Sequence, residues 1–308
     1  MKIYNGIQEL IGKTPMLRAN NLIKDEGVDG EILLKLEYFN PAGSVKDRVA
    51  LSMITDAEEK GLIKSGATII EPTSGNTGIG IALICAQKGY KAILVMPDTM
   101  SVERIQILKA YGAEVVLTDG KLGMQGSIDK AKELNKEIPN SMVCGQFDNP
   151  SNPKAHYLGT GKEIWEDTDG DIDVLVAGVG SGGTISGAGK FLKEQNLNIK
   201  VIAFEPKNSP MITEGKSGAH NVQGIGANFI PDNYDNSVVD RVETVTEEEC
   251  YYYAKKLASL EGVLVGISSG GAVAVAIRLL KTKEFKGKKI AVILPDTGSR
   301  YMSAKIFE

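Results

Sequence analysis

Two short segments carry residues whose types and spacing suit covalent and anion-binding chemistry. Residues 40–48 contain Lys46 close to Gly43 and Ser44, where a turn is predicted to run into a helix. A lysine amine in that position can hold a carbonyl cofactor as a Schiff base. Residues 73–78 place hydroxyls, an amide and backbone N–H groups at a predicted strand-to-helix junction, which suits a small anionic substrate. Together the segments indicate an amino acid activated on pyridoxal phosphate.

Composition favours a globular protein of two domains. The chain has 308 residues, of which 42% are hydrophobic and 24% charged, and a net charge of −4. It has no basic run, which argues against a nucleic-acid partner. No segment reaches the roughly 18 apolar residues of a membrane span, and the N-terminus lacks the apolar core of a signal peptide. We therefore expect a cytoplasmic protein.

The cysteines and histidines offer little to a metal or to a catalytic triad. Cys85, Cys144 and Cys250 are far apart and odd in number, so neither a disulfide framework nor a zinc site is expected. His156 and His220 are isolated in the sequence. We expect no metal and no histidine-based chemistry.

Apolar runs alternate with amphipathic segments of helical length along the chain. This alternation predicts mostly parallel sheets covered by helices. The predicted strands span residues 67–71, 92–96, 114–118, 141–144, 174–178, 200–204 and 289–294. The predicted helices span residues 45–60, 78–88, 102–111, 126–137, 159–167, 184–195, 247–261 and 270–281.

Two irregular stretches interrupt this alternation. Residues 146–153 are rich in Asn and Pro and separate two α/β halves. Residues 206–236 are long, Gly- and Asn-rich and weakly periodic. Because a loop of that length in a compact domain is usually functional, it is predicted to be a lid or a substrate-contacting segment.

Residues 178–183 satisfy the glycine pattern of a dinucleotide-binding turn. They follow a predicted strand, open a helix, and precede Glu205 at the end of another strand, so a nicotinamide-dependent dehydrogenase is one alternative. The pattern comes after four earlier strand–helix units, however, and leaves Lys46 unexplained. It is also denser in glycine than the motif requires and continues into Thr184. We therefore interpret residues 180–184 as a cup for one phosphate at a helix N-terminus.

Matching segments spread along the chain resemble the cysteine synthases (O-acetylserine sulfhydrylases), which are fold-type-II pyridoxal-phosphate enzymes. The segments are residues 11–15, 97–101, 146–147, 223–227, 266–270 and 294–298. The resemblance implies two doubly wound α/β domains and a homodimer. Residues 45–148 would form a smaller, mobile substrate domain, residues 149–308 a larger cofactor-phosphate domain, and residues 1–44 would pack with the latter.

The resemblance also assigns cofactor roles. Lys46 would form the Schiff base with pyridoxal 5′-phosphate and afterwards act on the substrate Cα proton. Asn76 would bind the ring 3′-oxygen. Ser268 would bind the pyridine nitrogen, with Ser269 as the alternative; a neutral hydroxyl there favours loss of a β-substituent over transamination. The phosphate would lie against Gly180, Ser181, Gly182, Gly183 and Thr184.

Substrate roles follow from the same resemblance. Ser74 would join Lys46 as a catalytic residue. The substrate, including its α-carboxylate, would contact Thr73, Ser74, Gly75, Thr77, Gln146, Gly224 and Asn228. The implied reaction converts O-acetyl-L-serine and sulfide into L-cysteine and acetate through an α-aminoacrylate. The C-terminal tail of serine acetyltransferase is a possible further partner.

Asn228 departs from the resemblance, because cysteine synthases commonly have glycine before the Phe-Ile-Pro at residues 229–231. Two interpretations stay open. Asn228 could bring bulk and hydrogen-bonding groups to the side where the β-substituent leaves, which would favour release of hydrogen sulfide from L-cysteine, with serine, lanthionine or pyruvate as the carbon product. Alternatively, it could occupy a left-handed backbone position, which asparagine tolerates.

Overall fold

The fold is described from a computed structural model covering residues 3–73, 75–100, 102–304 and 306–307, without the side chain of Glu103. The chain divides into two compact units. The smaller unit comprises the N-terminal residues up to Ile11 and Val45–Asn152. The larger comprises Gly12–Ser44 and the chain from Pro153 onward. The N-terminal chain therefore contributes to both units.

The described residues form ten strands and eleven α-helices. The strands are β1 (Met16–Arg18), β2 (Glu31–Leu36), β3 (Thr68–Pro72), β4 (Lys91–Pro97), β5 (Glu114–Thr118), β6 (Ser141–Val143), β7 (Val174–Gly178), β8 (Lys200–Pro206), β9 (Arg241–Val245) and β10 (Lys289–Leu294). The α-helices are α1 (Asn20–Glu26), α2 (Lys46–Glu59), α3 (Asn76–Lys88), α4 (Val102–Ala110), α5 (Gly123–Glu137), α6 (Ser151–Ala155), α7 (Lys162–Asp167), α8 (Gly183–Gln195), α9 (Met211–Glu214), α10 (Glu247–Glu261) and α11 (Ile267–Leu280). Among these helices, none combines the length and apolar character needed to cross a bilayer.

Each unit contains one sheet, and both sheets are mostly parallel. The smaller sheet has the order β5-β4-β3-β6 and is parallel throughout. The larger has the order β1-β2-β10-β7-β8-β9, in which only β1 runs antiparallel to its neighbour. The predicted α/β class with mostly parallel sheets is confirmed.

The large sheet is buried on both faces. Alternate residues of β7 belong to two different apolar clusters: Val174 and Val176 to one, Leu175 and Ala177 to the other. Successive side chains of a strand point to opposite faces, so both faces are covered. This two-sided burial explains why the central strands are continuous apolar runs in the sequence.

All seven predicted strands are present, but the strands β1, β2 and β9 and the short helices α1, α6 and α9 were not predicted. Strand β2 contains Lys35, which interrupts the apolar run and yet is fully buried. Its Nζ donates to Thr14 O at 2.6 Å and pairs with Asp167 and Glu163, each at 3.0 Å. A buried charge is tolerated only with such partners, and they are distant in sequence.

Both sheets have a point where the strand order reverses. In the smaller sheet β3 is followed along the chain by β4 on one side, while β6 lies on its other side. In the larger sheet β8 and β10 flank β7 in the same way. Ligands of parallel sheets usually bind at the carboxyl ends of strands beside such a reversal. Residues after β3 and β6, and those after β7 and β10, are therefore the first candidates.

Candidate active site

Lys46 is the first residue of α2, in the smaller unit, and its side chain is partly buried. A Cβ atom on Gly80 of α3 would lie 2.9 Å from the Lys46 carbonyl oxygen and 3.2 Å from Ala50 Cβ. Helix α3 therefore packs against the first turn of α2 at a distance that only glycine allows. This close crossing fixes the backbone of Lys46 beside the helix that Asn76 begins.

The turn between β3 and α3 has the predicted polar character. Gly75 N–H donates to Thr73 Oγ1 at 3.3 Å, and Gly78 N–H donates to Gly75 O at 3.1 Å. Asn76 opens α3 and is partly buried. Ser74 lies outside the described residues. The first N–H groups of a helix have no partner within it, so this turn can bind an anion.

Gln146 follows β6 and makes three hydrogen bonds within the smaller unit. Its Oε1 accepts from Thr77 Oγ1 at 2.6 Å, its carbonyl oxygen accepts from Asn152 Nδ2 at 2.7 Å, and its N–H donates to Glu71 Oε1 at 3.2 Å. The smaller unit thus brings Gln146 against Thr77 at the start of α3, beside its strand-order reversal. The substrate roles of these residues stay a prediction.

Glu71 is a residue that sequence reasoning did not single out. It lies in β3, is 1% exposed, and accepts from Gly145 N–H at 2.9 Å as well as from Gln146 N–H. Burial raises the pKa of its carboxyl from 4.5 to about 7, although the two N–H donors lower it; the nearby Asp148 raises it further. The only signal in the sequence is an acidic residue ending an apolar strand.

We expect the free energy of unfolding to depend on the protonation of Glu71. Because its pKa is higher in the folded state, the folded protein holds this proton more tightly, and the resulting stability is complete below pH 4.5 and lost as pH rises through 7. Between pH 4.5 and 8, wild type should lose on the order of 3 kcal/mol relative to Glu71→Gln. Denaturant unfolding over this pH range measures the difference.

Glu114→Gln is the matched control, since Glu114 is an exposed glutamate on β5 of the same sheet. It should leave the pH slope unchanged. Equal slopes for wild type and Glu71→Gln would show that Glu71 titrates as an ordinary carboxyl.

In the larger unit, residues 180–184 span the turn after β7 and the first two residues of α8. Gly182 is the N-cap of α8 with φ of 79°, and a Cβ there would lie 2.7 Å from Tyr234 N. A Cβ on Gly180 would lie 2.2 Å from Gly224 O. The cup is therefore built from backbone packed on backbone, with the helix N–H groups and the Ser181 and Thr184 hydroxyls at its end. Backbone and hydroxyl donors at a helix N-terminus fit the phosphate of pyridoxal phosphate.

Glu205, the acidic residue of the dinucleotide pattern, has another role. It is buried, and its carboxylate accepts from Ile212 N–H at 2.7 Å, Thr213 N–H at 2.9 Å and Thr213 Oγ1 at 2.7 Å. These bonds fix the start of α9 and engage both oxygens of the carboxylate within the protein. The geometry therefore argues against the dehydrogenase alternative.

Ser268 and Ser269 lie in the first turn of α11, beside the chain that leaves β10. Gly266 N–H, at the helix start, donates to Asp296 O at 3.1 Å, which brings α11 to the carboxyl edge of the large sheet. Both serines are buried. Ser269 Oγ has no hydrogen-bond partner among the described residues, so both hydroxyls remain candidates for the ring nitrogen.

The segment 206–236 contacts the phosphate cup. Gly226 N–H donates to Val179 O at 3.0 Å, and Gly224 closes against Gly180. Asn228 is exposed. The interpretation that Asn228 fills a left-handed position is wrong: among the described non-glycine residues, positive φ occurs at Lys13, Asn140 and Asp169. Its side chain therefore needs an explanation other than backbone accommodation.

Comparison with known proteins agrees with this geometry. Residues 7–296 match the family described as "Pyridoxal-phosphate dependent enzyme". Cysteine synthase of Staphylococcus aureus (strain Mu50 / ATCC 700699) is 48% identical, over 99% of this chain and 98% of the relative. A cysteine synthase from Entamoeba histolytica superposes with a TM-score of 0.96 at 42% identity, covering 99% of this chain and 91% of the other.

One similar structure belongs to an enzyme named for a different product. A hydrogen sulfide-producing enzyme from Fusobacterium nucleatum is 44% identical with a TM-score of 0.93, covering 98% of this chain and 99% of its own. The family match spans nearly the whole chain, and both strand-order reversals carry the expected polar turns. The chain belongs to the cysteine synthase family of pyridoxal-phosphate dependent enzymes.

Proposed function

We propose that the protein replaces the β-acetoxy group of O-acetyl-L-serine with sulfide, forming L-cysteine and acetate. The observation that carries this proposal is the Thr73–Thr77 turn with Gln146 held against it, in a chain 48% identical to a cysteine synthase. A turn of hydroxyls, an amide and helix N–H groups recognises an amino-acid carboxylate. Thr73, Ser74, Gly75, Thr77 and Gln146 are proposed to hold it there.

Lys46 is proposed to hold the cofactor through its amine and to move the Cα proton. Pyridoxal phosphate, when bound, supplies the electron sink that makes this proton removable. Once the substrate amine has taken its place, the free Lys46 amine takes the proton. The electron pair of the broken Cα–H bond would form a double bond between Cα and Cβ, and acetate would leave with the electron pair of the Cβ–O bond. Sulfide then bonds to Cβ, and Lys46 returns the proton to Cα.

The cofactor-binding roles are proposed residue by residue from the resemblance. Asn76 would donate to the ring oxygen, and Ser268, with Ser269 as the alternative, would meet the ring nitrogen. Gly180, Ser181, Gly182, Gly183 and Thr184 would bind the phosphate through N–H and hydroxyl donors at the start of α8. Gly224 packs against the phosphate cup, because its carbonyl oxygen lies 2.2 Å from the position that a Cβ on Gly180 would take.

A second candidate function is release of hydrogen sulfide from L-cysteine, with serine, lanthionine or pyruvate as the carbon product. It is supported by Asn228, whose backbone is not left-handed and whose side chain is exposed. A polar amide four residues after Gly224 offers hydrogen-bonding groups that glycine lacks, and these could bind a leaving group or a second amino acid.

Asn228→Gly should raise the ratio of cysteine synthesis to sulfide release by about three- to tenfold, since one hydrogen bond to a leaving or entering group is removed. The ratio is measured as cysteine formed from O-acetyl-L-serine plus sulfide, against sulfide released from L-cysteine alone. Dominant synthesis by wild type supports the first proposal; dominant sulfide release supports the second.

Asn221→Gly is the control variant, at an exposed asparagine of the same segment that bonds Glu247. Its ratio should equal that of wild type. An unchanged ratio in Asn228→Gly would remove Asn228 from the explanation of either activity.

Assembly and partners are proposed from the resemblance alone. A homodimer is expected, and sedimentation of the purified protein measures it. The C-terminal tail of serine acetyltransferase would compete for the carboxylate-binding turn at residues 73–77. Such competition would appear as inhibition that O-acetyl-L-serine relieves.

A further inference from the structure

His156 occupies an unusual backbone position. It is fully buried and begins a π-helix, His156–Gly161, inserted between α6 and α7. π-Helical turns are rare and frequently mark functional sites. The sequence offered no reason to prefer His156 over His220, because its contacts depend on the fold.

The π-helix lies directly on the first turns of α8. A Cβ on Gly187 would lie 2.1 Å from Pro153 O and 2.9 Å from His156 Cβ. A Cβ on Gly161 would lie 2.9 Å from Ala188 Cα. Glycines at both crossing points let the backbones approach closely, which places the imidazole at the helix that carries the phosphate cup.

The imidazole bridges two threonine hydroxyls. Its Nε2 lies 3.2 Å from Thr184 Oγ1, and its Nδ1 lies 2.9 Å from Thr160 Oγ1. Thr160 is itself fully buried on the same π-helix. The ring is therefore held from one side and directed at a proposed phosphate ligand on the other.

One arrangement of hydrogens satisfies all three groups. For Thr184 to donate its hydroxyl hydrogen to a phosphate oxygen, its own oxygen must accept from the ring, so Nε2 carries the hydrogen. Nδ1 then accepts from the Thr160 hydroxyl. In this arrangement the ring is held in a single tautomer, set by the partner of the other nitrogen.

We propose that His156 is a positioning residue of the phosphate cup, which orients the Thr184 hydroxyl to donate to the cofactor phosphate while Thr160 fixes the ring tautomer. This inference rests on the proposed role of residues 180–184. A histidine that only fills the core would contribute stability without acting on phosphate affinity.

The test measures phosphate binding by the apoenzyme. After removal of the cofactor, inorganic phosphate is titrated by ³¹P NMR and by competition with pyridoxal phosphate. His156→Asn should weaken phosphate binding about tenfold, because Thr184 loses the donor that orients it. His156→Gln should recover part of the affinity, since its amide nitrogen can reach the Nε2 position.

Thr160→Val should weaken phosphate binding about threefold, because Nδ1 loses its donor and the tautomer is no longer fixed. Thr168→Val is the control, as the Thr168 hydroxyl bonds only backbone carbonyls at the end of α7. It should bind phosphate as wild type does. ¹⁵N NMR of the wild-type imidazole should report a hydrogen on Nε2.

Three results would overturn the inference: wild-type phosphate affinity in a folded His156→Asn or Thr160→Val protein, or a hydrogen on Nδ1 in the wild-type spectrum. If His156→Asn does not fold, the phosphate affinity of Thr160→Val and the ¹⁵N spectrum of the wild-type imidazole still test the inference. A wild-type apoenzyme that binds neither phosphate nor pyridoxal phosphate would overturn the cup itself, and with it the proposed function.

Discussion

Replacing Lys46 with alanine should lower the rate of cysteine formation by roughly a thousandfold or more, because the proposed proton carrier is lost. Lys46→Arg should be nearly as inactive: arginine keeps the positive charge but does not deprotonate at working pH. Position matters as much as chemistry, since the Gly80 crossing fixes the backbone of Lys46 at the start of α2.

Two measurements separate this role from a loss of structure. The visible absorbance of the purified proteins reports lysine-bound cofactor and should disappear in both variants, while thermal unfolding should stay within a few degrees of wild type. Lys60→Ala, at the exposed far end of the same helix, is the control and should keep both absorbance and rate. If Lys46→Ala retained both the visible absorbance and the rate of cysteine formation, another residue would have to hold the cofactor and move the proton.

Gly180→Ala should have the second-largest effect, on cofactor affinity. The added methyl would lie 2.2 Å from Gly224 O, so the cup and the 206–236 segment would have to move apart. Overpacking against backbone costs about 1–3 kcal/mol, and the displaced donors should weaken pyridoxal phosphate binding by roughly 100-fold. Titration of apoenzyme with the cofactor measures the affinity.

Gly189→Ala provides the contrast on the same helix. Its methyl would meet side-chain methyls of Val238 and Val201 at 2.8 and 2.9 Å, away from the cup. It should lower the melting temperature while leaving cofactor affinity within about threefold of wild type. Equal affinity losses in the two variants would mean that cofactor binding tracks stability alone.

The local sequence pattern was sufficient to predict a strand wherever that strand is an apolar run bounded by turn residues. Strands β5, β7 and β10 were predicted to the residue, and turns were predicted after β3 and β7, where the structure has them. Such turns are readable because their chemistry is local: hydroxyls, amides and glycines adjacent in sequence at a helix start.

The features that escaped prediction depend on distant partners. Strand β2 was missed because Lys35 looks like a surface residue until Glu163 and Asp167 are placed beside it. Glu71 and His156 were passed over for the same reason, since their meaning comes from the Gly145–Gln146 backbone and from Thr184. Whether a single polar side chain is buried depends on the tertiary fold and cannot be inferred from the residues adjacent to it in sequence.

The position of β2 has a consequence for how the polypeptide folds during its synthesis on the ribosome. It pairs on one side with β1 and on the other with β10, which is synthesised after all the other described strands. Until then β2 and β7 each present an open edge with unpaired backbone groups, which invites pairing with another chain. Late closure by so distant a segment also slows folding. Nascent chains that stop short of Lys289 should therefore be prone to aggregate and to depend on chaperones.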